Sequence, residues 1–405
     1  MTTVTIERLG HHGDGIARGP IFAARTMPGE VVEGALDGTR LVAPRILTPS
    51  TERISPACRH YKSCGGCALQ HASGGFVADW QKQVVSRALE AVGLDAPIRN
   101  LHTSPAGSRR RATFTGRRTK KGAIVGFHSP ASDALIAIPE CQVIRPSLLA
   151  ALPALEEVTR LGASRKSELR ISVTDTDTGL DVLVSDGKPL ENDVRADLIE
   201  IANRAGFARI SWNDDVVAQR VAPLLQMGTA PVPVPPGAFL QSTAEGEAAL
   251  LASVRDAVDG AGRILDLFAG CGTFALPLSL GAQIHAVESE QTLLDALDAG
   301  WRHATGSKRV TVERRDLFRR PMTPDELERF DAIVIDPPRA GAEAQVTEIA
   351  AAKVQRIAFV SCNPVTFARD AALLTNSGYR LNWIDIVDQF RWSTHIEIAA
   401  ELTLA

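Results

Sequence analysis

The spacing of hydrophobic positions changes along this chain, and the changes divide it. Residues 1–50 alternate short apolar runs with glycine turns, as in Val4-Thr5-Ile6, Gly13-Asp14-Gly15 and Ile21-Phe22. Short strands closed by glycine turns predict a small β-barrel. A helical pattern runs from Phe76 to about Val92. Residues 123–138 and Glu168–Asp186 read as hairpins, the second turning at Asp177-Thr178-Gly179, and a helix is expected from about Leu190 to Ala205. The stretch Pro231-Val232-Pro233-Val234-Pro235-Pro236 resists regular structure and reads as a linker. From about residue 245 buried strands alternate with helices. The strands are Arg263–Phe268, Gln283–Val287, Val310–Val312, Phe330–Ile335 and Arg356–Val360, and an antiparallel pair near 380–387 and 395–403 closes the series. That alternation predicts a doubly wound α/β sheet. The expected organisation is a barrel over 1–50, a central α+β domain over 51–235, and a Rossmann-like domain over 236–405.

Composition narrows the class without naming a function. Hydrophobic residues make up 45% and charged residues 22%, which describes a soluble globular protein. Without a long apolar run or a basic-then-apolar leader, the expectation is a cytoplasmic, membrane-free protein, and a monomer. The formal charge of -3 argues against a uniformly basic coat, yet Arg109 to Lys121 holds seven basic residues in thirteen and no acid. Such a run suits a phosphate backbone, and Arg109, Arg110, Arg111, Arg117 and Arg118 are candidate RNA contacts, against the plainer reading of a solvated face.

Six cysteines in a reducing compartment point to metal or catalysis before disulfides. Cys58, Cys64 and Cys67 cluster as C-x5-C-G-G-C, and Cys141 follows far downstream. Four thiolates can complete a zinc site or hold a cubane iron–sulfur cluster, and the spacing leaves both open. Gly65-Gly66 would let the backbone wrap closely around a bulky group. The histidines show no metal-ligand spacing.

The chemistry concentrates at the predicted strand ends. After the first C-terminal strand comes Asp266-Leu267-Phe268-Ala269-Gly270-Cys271-Gly272-Thr273, which is neither a dinucleotide fingerprint nor a P-loop. Glu288 closes the second strand and suits a ribose diol. Together these features fit an adenosyl cofactor without a pyrophosphate, S-adenosylmethionine. Asp336-Pro337-Pro338-Arg339 ends the fourth strand, and Ser361-Cys362-Asn363-Pro364 ends the fifth. A thiol there lies where α/β enzymes bind ligands and is a candidate nucleophile. Cys271, inside the glycine loop, reads as a small packing residue.

The segments ILDLFAGCGT, DPPRAG and SCNP, with the closing His395-Ile396-Glu397, resemble the RNA uracil-5-methyltransferases of the class I methyltransferase fold. The first four cysteines are similar to those of the iron–sulfur branch that methylates 23S ribosomal RNA, and residues 1–50 resemble a short TRAM module, an RNA-binding barrel. The resemblance implies Cys362 as nucleophile and Glu397 as base, with Asp336 ordering the base or the cofactor. It also implies Gln241, Phe268, Gly270, Thr273, Glu288 and Asp316 as cofactor contacts, Arg339 as a possible RNA contact, and Cys58, Cys64, Cys67 and Cys141 as ligands of a [4Fe-4S] cluster. Relatives often carry Asn at the positions of Thr273 and Asp316. Alternatives are a transfer-RNA substrate, or a noncatalytic RNA-binding iron–sulfur protein that would need neither Cys362 nor Glu397. An amino methyltransferase would carry an aromatic residue where this chain has Arg339.

Overall fold

The computed structural model describes residues 1–164 and 166–405. Strands β1 (Thr2–Leu9), β2 (Gly15–Ala17), β3 (Ile21–Ala23), β4 (Val31–Asp37) and β5 (Arg40–Thr48) close into a barrel in the order β1-β2-β3-β5-β4. Ile6, Ala17, Ala23, Val32 and Leu41 fill it. The inward-facing side chains are few and small, which is what alternating short strands of this length can supply.

Helix α1 (Gly74–Glu90) begins where the Ser73 side chain accepts the Phe76 N–H at 3.1 Å, a capping interaction that satisfies an orphan donor. Strand β6 (Ile98–Thr103) follows. Then come β7 (Arg111–Arg118), β8 (Ala123–His128), β9 (Leu135–Ala137), α2 (Pro146–Gly162), β10 (Glu168–Thr176), β11 (Gly179–Ser185), α3 (Asn192–Ala205), β12 (Arg209–Trp212) and β13 (Asp215–Gln219). Their strands form a seven-stranded sheet in the order β13-β12-β11-β10-β7-β8-β9. Leu148 and Leu155 of α2 and Leu198 of α3 pack on Phe114, Ile171 and Val182 of this sheet.

The proline-rich stretch is irregular only over 234–236, and its first half is a strand. Strand β15 (Ala230–Pro233) pairs antiparallel with β14 (Leu224–Met227), Leu225 opposite Val232 and Met227 opposite Ala230. Pro231 and Pro233 alternate along a two-stranded ribbon, where a missing N–H can face outward and no ladder bond is lost.

The last part comprises α4 (Ala244–Ala257), β16 (Arg263–Leu267), α5 (Ala275–Leu278), β17 (Gln283–Glu288), α6 (Gln291–His303), β18 (Val310–Arg314), α7 (Pro324–Leu327), β19 (Ala332–Ile335), α8 (Glu343–Ala352), β20 (Arg356–Ser361), α9 (Pro364–Asn376), β21 (Tyr379–Asp388) and β22 (Glu397–Leu404). The sheet order is β18-β17-β16-β19-β20-β22-β21-β6. Strands β16 to β20 are parallel and β22 is antiparallel to both neighbours. The order reverses between β16 and β19, and the crevice outside the carboxyl ends there is where ligands bind in such sheets.

The edge strand β6 comes from the segment 51–235. It pairs with β21, and Arg99 grips Asp385 through Nε at 3.1 Å and Nη2 at 2.5 Å. The eight-stranded sheet therefore borrows its last strand from the N-terminal half. Among the described residues no helix is long and apolar enough to cross a membrane.

Candidate active site

The glycine loop leaves β16 with Phe268 at φ 62 and Gly270 at φ 55. A Cβ on Gly270 would meet nothing within 4 Å, so the loop opens onto free space at its apex. The Glu288 carboxylate turns back to this loop, accepting the Gly270 N–H at 3.1 Å, and its other oxygen accepts the Ser289 N–H at 2.5 Å. Asp316 Oδ1 accepts the Phe318 N–H at 3.0 Å, and the half-exposed Phe318 ring lies 5.6 Å from that of Phe268. Thr273 is half-buried at the end of the loop. Two aromatic rings, a fixed acid and open backbone suit a flat base and a ribose diol, and this donor set fits an adenosyl cofactor. Asp266 beneath the loop is fully buried, and burial with the neighbouring Asp336 and Glu288 holds its carboxyl well above the usual range.

On the other side of the switch point, β20 ends at Ser361 and Cys362 begins the turn into α9. Asn363 caps that helix by accepting the Val365 N–H at 3.1 Å, and Pro364 occupies its first turn. Asn363 Nδ2 also donates to the Arg339 carbonyl at 3.1 Å, joining the Ser361-Pro364 turn to the Asp336-Arg339 turn. The antiparallel register pairs Ser361 with Ile398. One residue further, Cys362 comes opposite Glu397.

Glu397 is only 3% exposed, not the surface carboxylate that an alternating strand suggests. Burial, with the nearby Asp336, pushes its carboxyl up to about 8, against the pull of Gln389 and Arg111. Burial also pushes Asp336 up to about 7. The Cys362 thiol is pushed up to about 11, first by burial and then by Glu397 and Asp336, with Arg339 opposing. One half-buried thiol and two carboxyls thus share a site in which each disfavours the charge of the next.

Buried amides hold this group. Gln389 Nε2 donates to Gln241 Oε1 at 2.6 Å, Gln389 Oε1 accepts the Ser242 N–H at 2.7 Å, and Gln241 Nε2 lies 3.5 Å from Asp336 Oδ2. Gln389 was not singled out from the sequence. Its signal was a polar residue just past the end of β21 (Tyr379–Asp388), where the loop to β22 begins. Cys362 and Asn363 open onto a cavity of about 400 Å³ that also borders His395.

The basic run does not form one cationic surface. Residues 111–118 are a strand, so alternate side chains point to opposite faces. Arg110 is buried, ion-paired with Glu247, and donates to the Gln241 carbonyl at 3.0 Å. Arg117 pairs with Glu168. Arg111 lies 4.3 Å over the Phe239 ring, Arg118 is half-buried, and Arg339 is exposed beside the thiol.

Cys58, Cys64, Cys67 and Cys141 line a separate cavity of about 210 Å³. Burial raises the thiols of Cys64, Cys67 and Cys141, Cys67 to about 12, and their mutual proximity adds to the rise. The Gly66 N–H approaches Cys64 Sγ at 3.4 Å. Among the described residues no three His, Cys, Asp or Glu side chains converge closely enough for a single metal ion. A tetrahedral zinc would need its sulfurs about 3.8 Å apart, given Zn–S bonds of about 2.3 Å. Four thiols lining one cavity are a donor set that a metal or cluster can use, and its binding would hold them as thiolates. Gly65 serves a different purpose from the one expected: its Cβ would stand 2.7 Å from the His128 carbonyl, so it permits the close approach to β8. The same segment reaches the loop between β21 and β22, where the Ala68 and Leu69 N–H groups donate to the Trp392 carbonyl at 2.8 and 2.9 Å.

Comparison with known proteins gives these features a family. The sequence profile of the tRNA (Uracil-5-)-methyltransferase family matches residues 309–404, from β18 to the end of β22. The chain is 43% identical over 403 residues to a protein of Brucella suis named as an uncharacterized RNA methyltransferase, covering 99% of this chain and 97% of that one. It is 29% identical over 425 residues to the 23S rRNA (uracil(1939)-C(5))-methyltransferase RlmD of Vibrio parahaemolyticus, covering 98% and 94%. The crystal structure of the Pyrococcus abyssi tRNA (uracil-54, C5)-methyltransferase in complex with S-adenosyl-L-homocysteine shares the fold, with a TM-score of 0.80 at 22% identity over 99% of both chains. A profile match over the strands that carry the thiol and the buried acid, with relatives aligned end to end, shows that this chain belongs to the RNA uracil-5-methyltransferase family.

Proposed function

We propose that the protein methylates C5 of a uracil in 23S ribosomal RNA, with Cys362 as nucleophile and Glu397 as base. The observation that carries this reading is the β20–β22 register, which brings a strand-end thiol opposite a buried carboxyl.

Uracil C5 is too weak a carbon nucleophile to be methylated unaided. Cys362 Sγ, its proton lost to water in the open cavity, adds to C6, and the C5–C6 π pair moves toward C5 and O4 as an enolate. Phe268, Gly270, Thr273, Glu288 and Asp316 would hold S-adenosylmethionine, whose sulfonium would give up its methyl to C5, the S–CH3 bond breaking as the C5–CH3 bond forms and the neutral thioether S-adenosylhomocysteine leaving; before transfer its positive charge would favour ionised neighbours. Glu397 then takes the C5 proton, the double bond re-forms, and the Cys362 thiolate leaves. Asp336 and Gln241 orient this exchange through the Gln241–Gln389 link. Arg339 stabilises the thiolate and meets RNA phosphate. The target base must leave its stack to reach the thiol.

Cys58, Cys64, Cys67 and Cys141 are proposed ligands of a [4Fe-4S] cluster. The shared cavity and the bond from Gly66 to Cys64 Sγ support this. Arg109 borders the same cavity and lies 5.7 Å from the Phe390 ring of the loop between β21 and β22, so its role is structural more than RNA-directed. Methyl transfer is redox neutral, and the group's contribution would be to hold the cysteine segment against the seven-stranded sheet. The ribosomal choice is supported by the full-length similarity to a protein named for 23S rRNA.

Mapping 5-methyluridine in ribosomal and transfer RNA from a strain lacking this protein tests the assignment. Loss of one 23S position is expected. Loss confined to transfer RNA would move the substrate, and an unchanged 5-methyluridine map would reject the activity.

A further inference from the structure

The cavity above Cys362 is not built by the catalytic domain alone. Arg8, His11 and His12 of the barrel and Arg87 of α1 line it together with Arg339. Among the described residues no acidic side chain lines it, although the chain as a whole is acidic by three charges. Arg8, Arg87 and Arg339 are exposed, and none is in an ion pair among the described residues. Cations that a protein has not spent internally, gathered at the mouth of a reactive site, are positioned for an anionic ligand.

The barrel wall is held in place. The loop between β1 and β2 turns through hydrogen bonds from Gly10 to Asp14 at 2.8 Å and from Gly13 to Gly10 at 2.9 Å. Gly13 has φ +84, and a Cβ there would stand 3.0 Å from Thr394 Cγ2 and 3.3 Å from Ala68 Cβ. The loop is thus pressed against both the β21–β22 loop and the cysteine segment. Its exposed tip presents His11 and His12, with ring centroids 3.9 Å apart and planes tilted by 47°. A neighbouring cavity shares Arg8 and Arg87 but is bordered by Glu7, Glu52 and Asp79. The cationic lining therefore ends there, which gives the cleft a direction.

We infer that this cleft is the path of single-stranded RNA next to the target uridine: Arg8, Arg87 and Arg339 meet its phosphates, and His11 and His12 form a platform for a flanking base. The inference rests on the RNA reading above and adds a requirement to it. A cleft of about 400 Å³ walled by barrel, α1 and catalytic turns admits splayed nucleotides and not an intact helix. The enzyme therefore takes a uridine whose neighbour is also unpaired, the usual state of RNA read by its bases. The arginines expected to do this from the sequence, Arg110 and Arg117, are occupied by Glu247 and Glu168.

The test compares binding of a uridine-containing oligonucleotide of about ten nucleotides, single-stranded and as a duplex, over a salt series, using the full-length protein. Arg8 and Arg87 are exposed, so R8A/R87A should fold with unchanged melting temperature. Losing two phosphate contacts should weaken single-strand binding about tenfold and reduce the salt slope by about 1.4. H11A/H12A should weaken it about tenfold with an unchanged slope, as expected for lost stacking. Duplex binding should not respond to either variant. Wild-type affinity and slope in R8A/R87A, or an equal loss for the duplex, would overturn the inference. Arg8- and Arg87-dependent binding with no 5-methyluridine formed in any RNA would reject the uracil chemistry and leave the cleft standing.

Discussion

Replacing Glu397 by Gln should separate the cost of this carboxyl from its use. Glutamine keeps the shape of the side chain and can still bond Gln389, while removing the charge. Glu397 is raised in the folded protein from 4.5 to about 8. With the folded value above the unfolded one, its contribution is complete below about pH 4.5 and is lost as pH rises through 8. A shift of this size corresponds to about 5 kcal/mol over that window, since one pH unit is about 1.4 kcal/mol. Asp336, raised to about 7, and Asp388, raised to about 6, lose stability in the same direction. Both are present in the variant as well, so they largely cancel in the difference between the two proteins. Urea unfolding should therefore show the variant gaining on the wild type by about 3–5 kcal/mol between pH 5 and pH 9. The same variant should lose about 100- to 10,000-fold in turnover, the range of a positioned general base, and should accumulate a protein–RNA adduct that survives denaturing gels. Equal stability differences at the two pH values would show that the carboxyl is not held neutral by burial. Free product at the wild-type rate would remove it as the base.

Cys362→Ala should abolish methyl transfer while S-adenosylmethionine affinity, measured calorimetrically, stays at the wild-type value. Because the thiol is pushed up to about 11, alkylation of Cys362 in the free enzyme should be slow at pH 7 and accelerate steadily toward pH 10. Arg110→Ala leaves the half-buried Glu247 and the Gln241 carbonyl without their buried partner and should cost about 1–3 kcal/mol in urea unfolding; a loss of RNA affinity at unchanged stability would instead make Arg110 an RNA contact. Cys64→Ser should remove the brown colour and the iron, about four per chain in the anaerobically purified wild type. It should also speed amide hydrogen exchange over residues 389–396, which the Ala68 and Leu69 amides hold; unchanged exchange would show that the cysteine segment does not brace that loop.

What the sequence made legible was local. Cys362 and Asp336 could be placed because an apolar run followed by a proline turn marks the carboxyl end of a buried strand, and that needs no tertiary information. Glu397 required a register: nothing along the chain says that β22 runs backwards beside β20 with Ile398 opposite Ser361. The arginine run misled for a physical reason. Charge density along a chain becomes a surface only if the backbone presents the side chains on one side, and a strand divides them between two. The partner that neutralises Arg110 lies 137 residues away. Conversely, Arg8 and Arg87 carried no signal because neither belongs to a run of charge along the chain, and only the packing of barrel, α1 and sheet brings them together. The prolines at 231 and 233 failed as breakers because a short edge ribbon does not use their missing donors.

The loop that leads into the proposed base shows why the N-terminal half cannot be read as an accessory. The loop between β21 and β22 carries Gln389 at one end and leads into Glu397 at the other. From the sheet side it is held by Gln241 and Ser242 through Gln389. From the outer side it is held by the Ala68 and Leu69 amides on the Trp392 carbonyl, and by the close approach of Gly13 to Thr394. The strand that precedes it, β21, is flanked by β6, and its buried Asp385 is satisfied by Arg99, Asn100 and Ser253. Cutting the chain at residue 236 would take away Arg99 and Asn100, the strand beside β21, and both outer holds on the loop. A buried acid raised to about 8 by its surroundings depends on those surroundings staying closed to water. Glu397 therefore owes its protonation behaviour to contacts made by residues roughly 300 or more positions earlier in the chain, and the proposed base is a property of the whole chain and not of its last domain.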